Sequence, residues 1–311
     1  MRKKWLAVAL AVGLSSALVW GMGISASAEN RGLDVYKSAL GQTKEAQSLT
    51  AHTKVELTDN GTKLLTIEGV AKVNHDGNAA SVDATYTDAA GTGSFQAFHE
   101  QDQVIFKKGD SDVYRVMETT AWGHKSDKRT QDGPPAFVKQ LFPALLGDMN
   151  KWTTVEELPD GGKQVTLELS EQEMPAFVKA IAPTVYSKIV EHSEEKEKSS
   201  TEKGLEVKLP NLQEDVQVDD ITLHATINKN NLIEKQTAEI HVSGVDATGE
   251  AHKLLLSLDV RLSDLAATTP DHIDLAGKQV EEISREDMKG RWAKKAGETM
   301  SLNRSARFPV V

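Results

Sequence analysis

The sequence predicts an α+β fold: a long antiparallel sheet packed over a few short helices. Three observations predict it. Apolar and polar residues alternate in short runs from Thr53 to Glu118, and again, in the longest runs of the chain, from Leu205 to Leu262. The breaks between runs are turn-forming clusters such as DGN, AAGTG, KGDS, KNN and DATGE. Helical spacing is confined to the start of the chain and to a nine-residue motif that occurs twice near its middle.

Residues 31–50 place Leu33, Tyr36, Leu40, Ala46 and Leu49 on one helical face, interrupted by Gly41, and open the fold with a helix. The period then changes to two. In KVELTD, Val55 and Leu57 alternate with polar neighbours, and Asn60-Gly61 supplies the left-handed pair of a tight hairpin before KLLTIEG. The runs AKVNH, ASVDATYTD, GSFQAFHE, QVIFKK and DVYRVME follow with short connections, so they form sequential antiparallel neighbours. Their alternation means that one face is buried and the other wet, or that the sheet curves around something.

The cover for such a sheet is the repeated motif, PAFVKQLFP at Pro135–Pro143 and PAFVKAIAP at Pro175–Pro183. Each copy starts with a proline, harmless in the first helical turn, and ends with one that limits or kinks the helix. Phe137, Val138 and Leu141 match Phe177, Val178 and Ile181 as an apolar stripe. Ser170 and Glu173 add a capping-box spacing ahead of the second copy. Between the copies, KWTTVEELPDGGKQVTLELS reads as a hairpin.

Residues 191–204, EHSEEKEKSSTEKG, lack aliphatic and aromatic side chains and read as an exposed charged loop or frayed helix end. The strands LEVKLP, ITLHATINK, LIEKQTAEIHVSG and HKLLLSLDVRL come next, and Pro270 closes the last ladder. The expected organisation is a signal peptide over 1–28, one α+β domain over 29–288 and a basic, disordered tail over 289–311.

The signal reading rests on three basic residues in Met1–Lys4, an uncharged apolar run from Trp5 to Ile24, and Ser25-Ala26-Ser27-Ala28 before Glu29, which predicts cleavage after Ala28 and no membrane span thereafter. The expected location is extracytoplasmic, with attachment to the cell envelope left open. The chain contains no cysteine, so disulfides, thiolate chemistry and a lipid-anchor cysteine are all excluded. Its net charge is −10, although both the signal and the tail are basic, so the body between them is strongly acidic and repels nucleic acid. The tail suits an anionic wall polymer.

No catalytic pattern emerges. The nine histidines contain no H-E-x-x-H or H-x-H pair, no G-x-S-x-G or phosphate-cradling glycine loop occurs, and the S-x-x-K matches at Ser193 and Ser200 fall in the charged segment. His224 and His241 fall on strands that could be neighbours. The acidic patch of Glu214, Asp215, Asp219 and Asp220 lacks the glycine and spacing of a calcium loop. No enzyme and no cofactor are therefore expected.

The order of elements, an opening helix, a long meander, two short proline-bounded helices around a hairpin and a final set of long strands, resembles the lipoprotein-carrier superfamily, the LolA and LppX-like half-barrels. The resemblance implies a strongly curved, half-barrel-like sheet wrapped over helices with acyl chains held between. It further implies that Phe137, Val138, Leu141, Phe142, Leu145, Phe177, Val178 and Ile181 line that space. Two functions stand side by side: a binding protein for a lipid or lipidated peptide, and an envelope interaction module with a filled core, tethered through its tail.

Overall fold

The computed structural model describes residues 31–100, 102–109, 111–118, 149–198 and 207–283. The predicted signal peptide, the basic tail and the first copy of the repeat, with Phe137, Val138, Leu141, Phe142 and Leu145, lie outside the described residues.

The described residues form two α-helices and twelve strands: α1 (Arg31–Lys44), β1 (Ser48–Asp59), β2 (Thr62–Asn74), β3 (Ala79–Asp88), β4 (Gly91–Glu100), β5 (Gln103–Lys108), β6 (Val113–Glu118), β7 (Thr153–Glu157), β8 (Lys163–Ser170), α2 (Ala176–Lys198), β9 (Leu212–Ile227), β10 (Ile233–Asp246), β11 (Ala251–Ser263) and β12 (Gln279–Glu282). All the strands join one sheet in the order β12-β6-β5-β4-β3-β2-β1-β11-β10-β9-β8-β7. It is open and curved, and β7 and β12 form its edges. The meander β1–β6 and the meander β9–β11 meet where β1 pairs antiparallel with β11, so the two alternating regions of the sequence are halves of one surface.

Local chemistry explains the joints. Asn60 and Gly61 adopt φ of 49° and 80°, the paired left-handed conformations of a tight hairpin whose twist matches its strands. A methyl group added at Gly69 in β2 would lie 2.9 Å from the Ala84 Cβ, so only glycine lets β3 approach there. That glycine does not end the strand: KLLTIEG and AKVNH, read separately in the sequence, are continuous in β2.

Both helices lie on the same face of the sheet. In α1, Leu33, Tyr36, Ala39, Leu40 and Thr43 are buried, and Gly41 is accommodated within the helix rather than breaking it. Tyr36, Ala39 and Leu40 pack on Val165, Ala225, Ile227, Ile233 and Val260. The Thr43 hydroxyl donates to the Ala39 carbonyl and accepts the Ile233 amide, at 2.7 and 2.9 Å, tying the helix to the start of β10. In α2 the buried residues Val178, Ala182, Tyr186 and Val190 recur every four residues, the stripe of a helix lying on a surface.

Helix α2 runs through the second copy of the motif and beyond it. Pro183 sits inside it, on its exposed side, where a carbonyl left without a helical partner reaches water. The helix also runs on to Lys198, so the first eight residues of the charged stretch 191–204 form a helix end, one of the two forms read from the sequence, and 199–204 lie outside the described residues. Charged residues with good helix propensity extend a helix already nucleated by an apolar stripe. The strands on either side of this stretch, β8 and β9, are neighbours in the sheet.

The opposite face is crossed by residues 264–278. Thr268 bonds Thr50, Asp271 bonds Lys72 and the Ser81 hydroxyl, and Ile273 and Leu275 pack on Phe98, Ile105 and Val116. This strap delivers β12 to β6 in parallel, a strand absent from the sequence reading because only four residues with one apolar side chain mark it.

Candidate functional site

Strand register lines up side chains across the helix-bearing face. Leu65, Leu57, Leu256, Ile240, Ile221 and Leu169 stand opposite one another in sequence across β2, β1, β11, β10, β9 and β8. Residues directly opposed across antiparallel strands share a face and touch, so these six form one aliphatic row.

Helices occupy the ground on either side of the row. Two and four residues along the strands, the rows containing Val55, Leu258 and Leu223, then Val260, Gln236, Ala225 and Val165, carry the α1 core. In the other direction, Leu254 packs with Tyr186 and Val190 of α2. The β8 end is closed by Val178 and Met174 on Leu167 and Leu169. Between these footprints Leu57, Leu65, Ile221, Ile240 and Leu256 are only half-buried. At a strand spacing of about 4.8 Å, the five span about 19 Å across the sheet.

Two phenols mark the helix footprints. Tyr36 is buried and its hydroxyl donates to the Gln236 side-chain carbonyl at 2.9 Å. Burial pushes its ionisation well above the usual 10.0, and the Gln236 contact opposes that only in part. Tyr186 donates to the Pro210 carbonyl at 2.6 Å, and burial, with the Asp59 carboxylate, raises it likewise. A raised folded pKa on a neutral acid gives stability that is complete below pH 10.0 and is lost as pH climbs beyond it. Denaturant midpoints should hold up to about pH 9 and fall by about pH 11, and Tyr36→Phe should lessen the fall. An equal fall in Tyr36→Phe would assign it to other groups.

Of the residues singled out in the sequence, Val178 is packed into the core against Leu167, Leu169 and Met174. Ile181 is half-buried in α2, and Phe177 lies in the first turn of that helix, its side chain outside what is described. Glu173 and Ser170 do meet, hydroxyl to carboxylate at 2.7 Å, but in the turn that precedes α2. His224 and His241 lie on paired strands yet stand four positions apart in register, bonded instead to Thr166 and Asp220. Asp219 and Asp220 of the acidic patch accept hydrogen bonds from Ser243 and Gln217 and from His241 respectively.

The row is only partly legible in the sequence. Half of its signal is local, since Leu57 and Leu65 flank the Asn60-Gly61 hairpin and pair across it. The other half depends on β1 finding β11 about two hundred residues away, which no local pattern encodes.

No known family model matches the chain, and no curated protein does. Solved structures give faint likenesses. An uncharacterized conserved protein from Thermus thermophilus has 7% identity and a TM-score of 0.27, over 81% of this chain and 98% of that one. A LolA superfamily protein from Nitrosomonas europaea has 7% identity and a TM-score of 0.21, over 79% and 96%. The ywiB protein from Bacillus subtilis has 10% identity and a TM-score of 0.15, over 69% and 91%. The likeness to the LolA superfamily protein is a weak resemblance in fold alone. Among the described residues no helix is long and apolar enough to cross a membrane.

Proposed function

We propose that the protein is an exported, non-enzymatic carrier that holds the acyl chain of a lipid or lipidated peptide along the aliphatic row between α1 and α2. The observation that supports it is the row: five half-buried aliphatic side chains in register on the helix-bearing face of a curved sheet, between the footprints of α1 and α2.

Exposed apolar area carries a cost of about 25 cal/mol per Å², which an apolar occupant removes. Ten methylenes against the row contribute roughly 8 kcal/mol, enough to exceed the lower bound of about 4 kcal/mol for the loss of translational and rotational freedom. Recognition of this kind needs no catalytic group, consistent with a sequence lacking any catalytic motif. Export rests on the basic, apolar and small-residue segments of the first 28 residues.

The test compares native and denatured masses of protein purified without detergent. A lipid that accompanies the native protein and leaves on denaturation is the expected result. Protein that stays apo even after incubation with phospholipid vesicles would remove the proposal.

A further inference from the structure

We propose that Asp246, Glu250 and His252 form a binding site for a divalent transition-metal cation of the zinc class, with Asp59 orienting the imidazole. The site lies at the β10–β11 hairpin and is independent of the carrier reading.

The hairpin fixes one carboxylate. Asp246 Oδ1 accepts the Thr248 amide at 2.8 Å, the Thr248 hydroxyl at 2.7 Å and the Glu250 amide at 3.0 Å. Those three bonds fix the orientation of the Asp246 carboxylate. With Oδ1 saturated, Oδ2 is the oxygen turned to His252.

His252 is 8% exposed, and its two ring nitrogens are in different situations. Nδ1 lies 2.7 Å from Asp59 Oδ2. Asp59 is held in place because the next residue, Asn60, bonds into the same hairpin through Lys253 and Ala251. Nε2 is buried and makes no hydrogen bond among the described residues. A carboxylate that accepts a hydrogen bond from Nδ1–H favours the tautomer with the lone pair on Nε2, the arrangement that second-layer carboxylates impose on metal-binding imidazoles.

The spacing across the site is one that a shared cation would give. Nε2 and Asp246 Oδ2 are 3.5 Å apart, beyond the usual hydrogen-bond range of about 2.7–3.2 Å. Two ligands of one tetrahedral zinc, each about 2.0–2.2 Å from the metal, stand about 3.4 Å apart. The exposed Glu250 brings a third ligand, and one atom from each residue lies within 4.8 Å of the others. Water completes a four-coordinate site. An imidazole among carboxylates favours zinc over calcium, which takes oxygen ligands alone.

The test is calorimetric titration of Zn²⁺ into the full, chelator-treated chain, with Co²⁺ absorption as a reporter of four-coordinate geometry. One saturable site per chain is expected, at least tenfold weaker in Glu250→Gln, whose exposed position spares the fold, and 10- to 100-fold weaker in Asp59→Asn. Circular dichroism checks that both variants are folded. Absence of saturable binding, or binding unchanged in Glu250→Gln and His252→Gln, would overturn the proposal.

Discussion

Ile240→Asp is expected to weaken binding of a fluorescent acyl probe by at least tenfold, with the cooperative thermal transition retained. Ile240 is half-buried in the middle of the row, between Leu256 and Ile221. Without ligand the new carboxylate keeps part of its hydration. An acyl chain laid over it would strip that hydration with no counter-charge to compensate, and even a partial penalty exceeds the roughly 1.4 kcal/mol that a tenfold change represents. Glu239 supplies the control: it is exposed on the opposite face of the same strand, and Glu239→Ala should leave probe affinity unchanged. Equal affinity in wild type and Ile240→Asp would place the ligand elsewhere.

Tyr36→Ala should destabilise the protein by about 3–5 kcal/mol, the range for removing a large buried aromatic. This ring joins α1 to the sheet through Val165, Ala225, Ile227 and Val260, and its hydroxyl is the partner of the buried Gln236 side chain. The Gln236 Nε2 already lacks a partner among the described residues, so losing the phenol leaves both ends of a buried amide unsatisfied. Tyr36→Phe, which removes only the hydroxyl, should cost about 1–3 kcal/mol. Chemical denaturation of the three proteins gives the comparison. A Tyr36→Ala loss no larger than that of Tyr36→Phe would mean that α1 is not anchored by this ring.

How much of this was legible in the sequence follows from which interactions are local. Asn60-Gly61 specifies its hairpin by backbone conformation alone, and the turn clusters between β2 and β6 specify their neighbours because short connections leave no other antiparallel partner. The α2 stripe shows through the PAFVKAIAP motif, but the extent of the helix does not. Pro183 reads as a limit or a kink and is tolerated on the solvent side, and the charged residues after Val190 read equally as loop or helix end because periodicity reports burial rather than helix. The strap is almost silent, since its anchors, Thr268, Asp271 and Ile273, are isolated residues whose partners lie far earlier in the chain, between Thr50 and Val116.

The candidate site shows the same division. The sequence pointed to the helices as the lining, through Phe137, Phe177 and their neighbours. Of that set, Val178 is core, Ile181 is half-buried, and the first copy lies outside the described residues. The in-register row of half-buried apolar side chains belongs to the strands, at positions visible only after five strands are set in register. The Asp246–Glu250–His252 cluster is local in sequence, within a span of seven residues, but its orienting carboxylate, Asp59, is not.

The most direct test of the central claim is photolabelling with a fatty acid bearing a diazirine along its chain, followed by mapping of the labelled residues. The carrier account predicts insertion at Leu57, Leu65, Ile221, Ile240 and Leu256, competed away by unlabelled lipid. Saturable labelling confined to other residues, or labelling that excess lipid does not reduce, would contradict it.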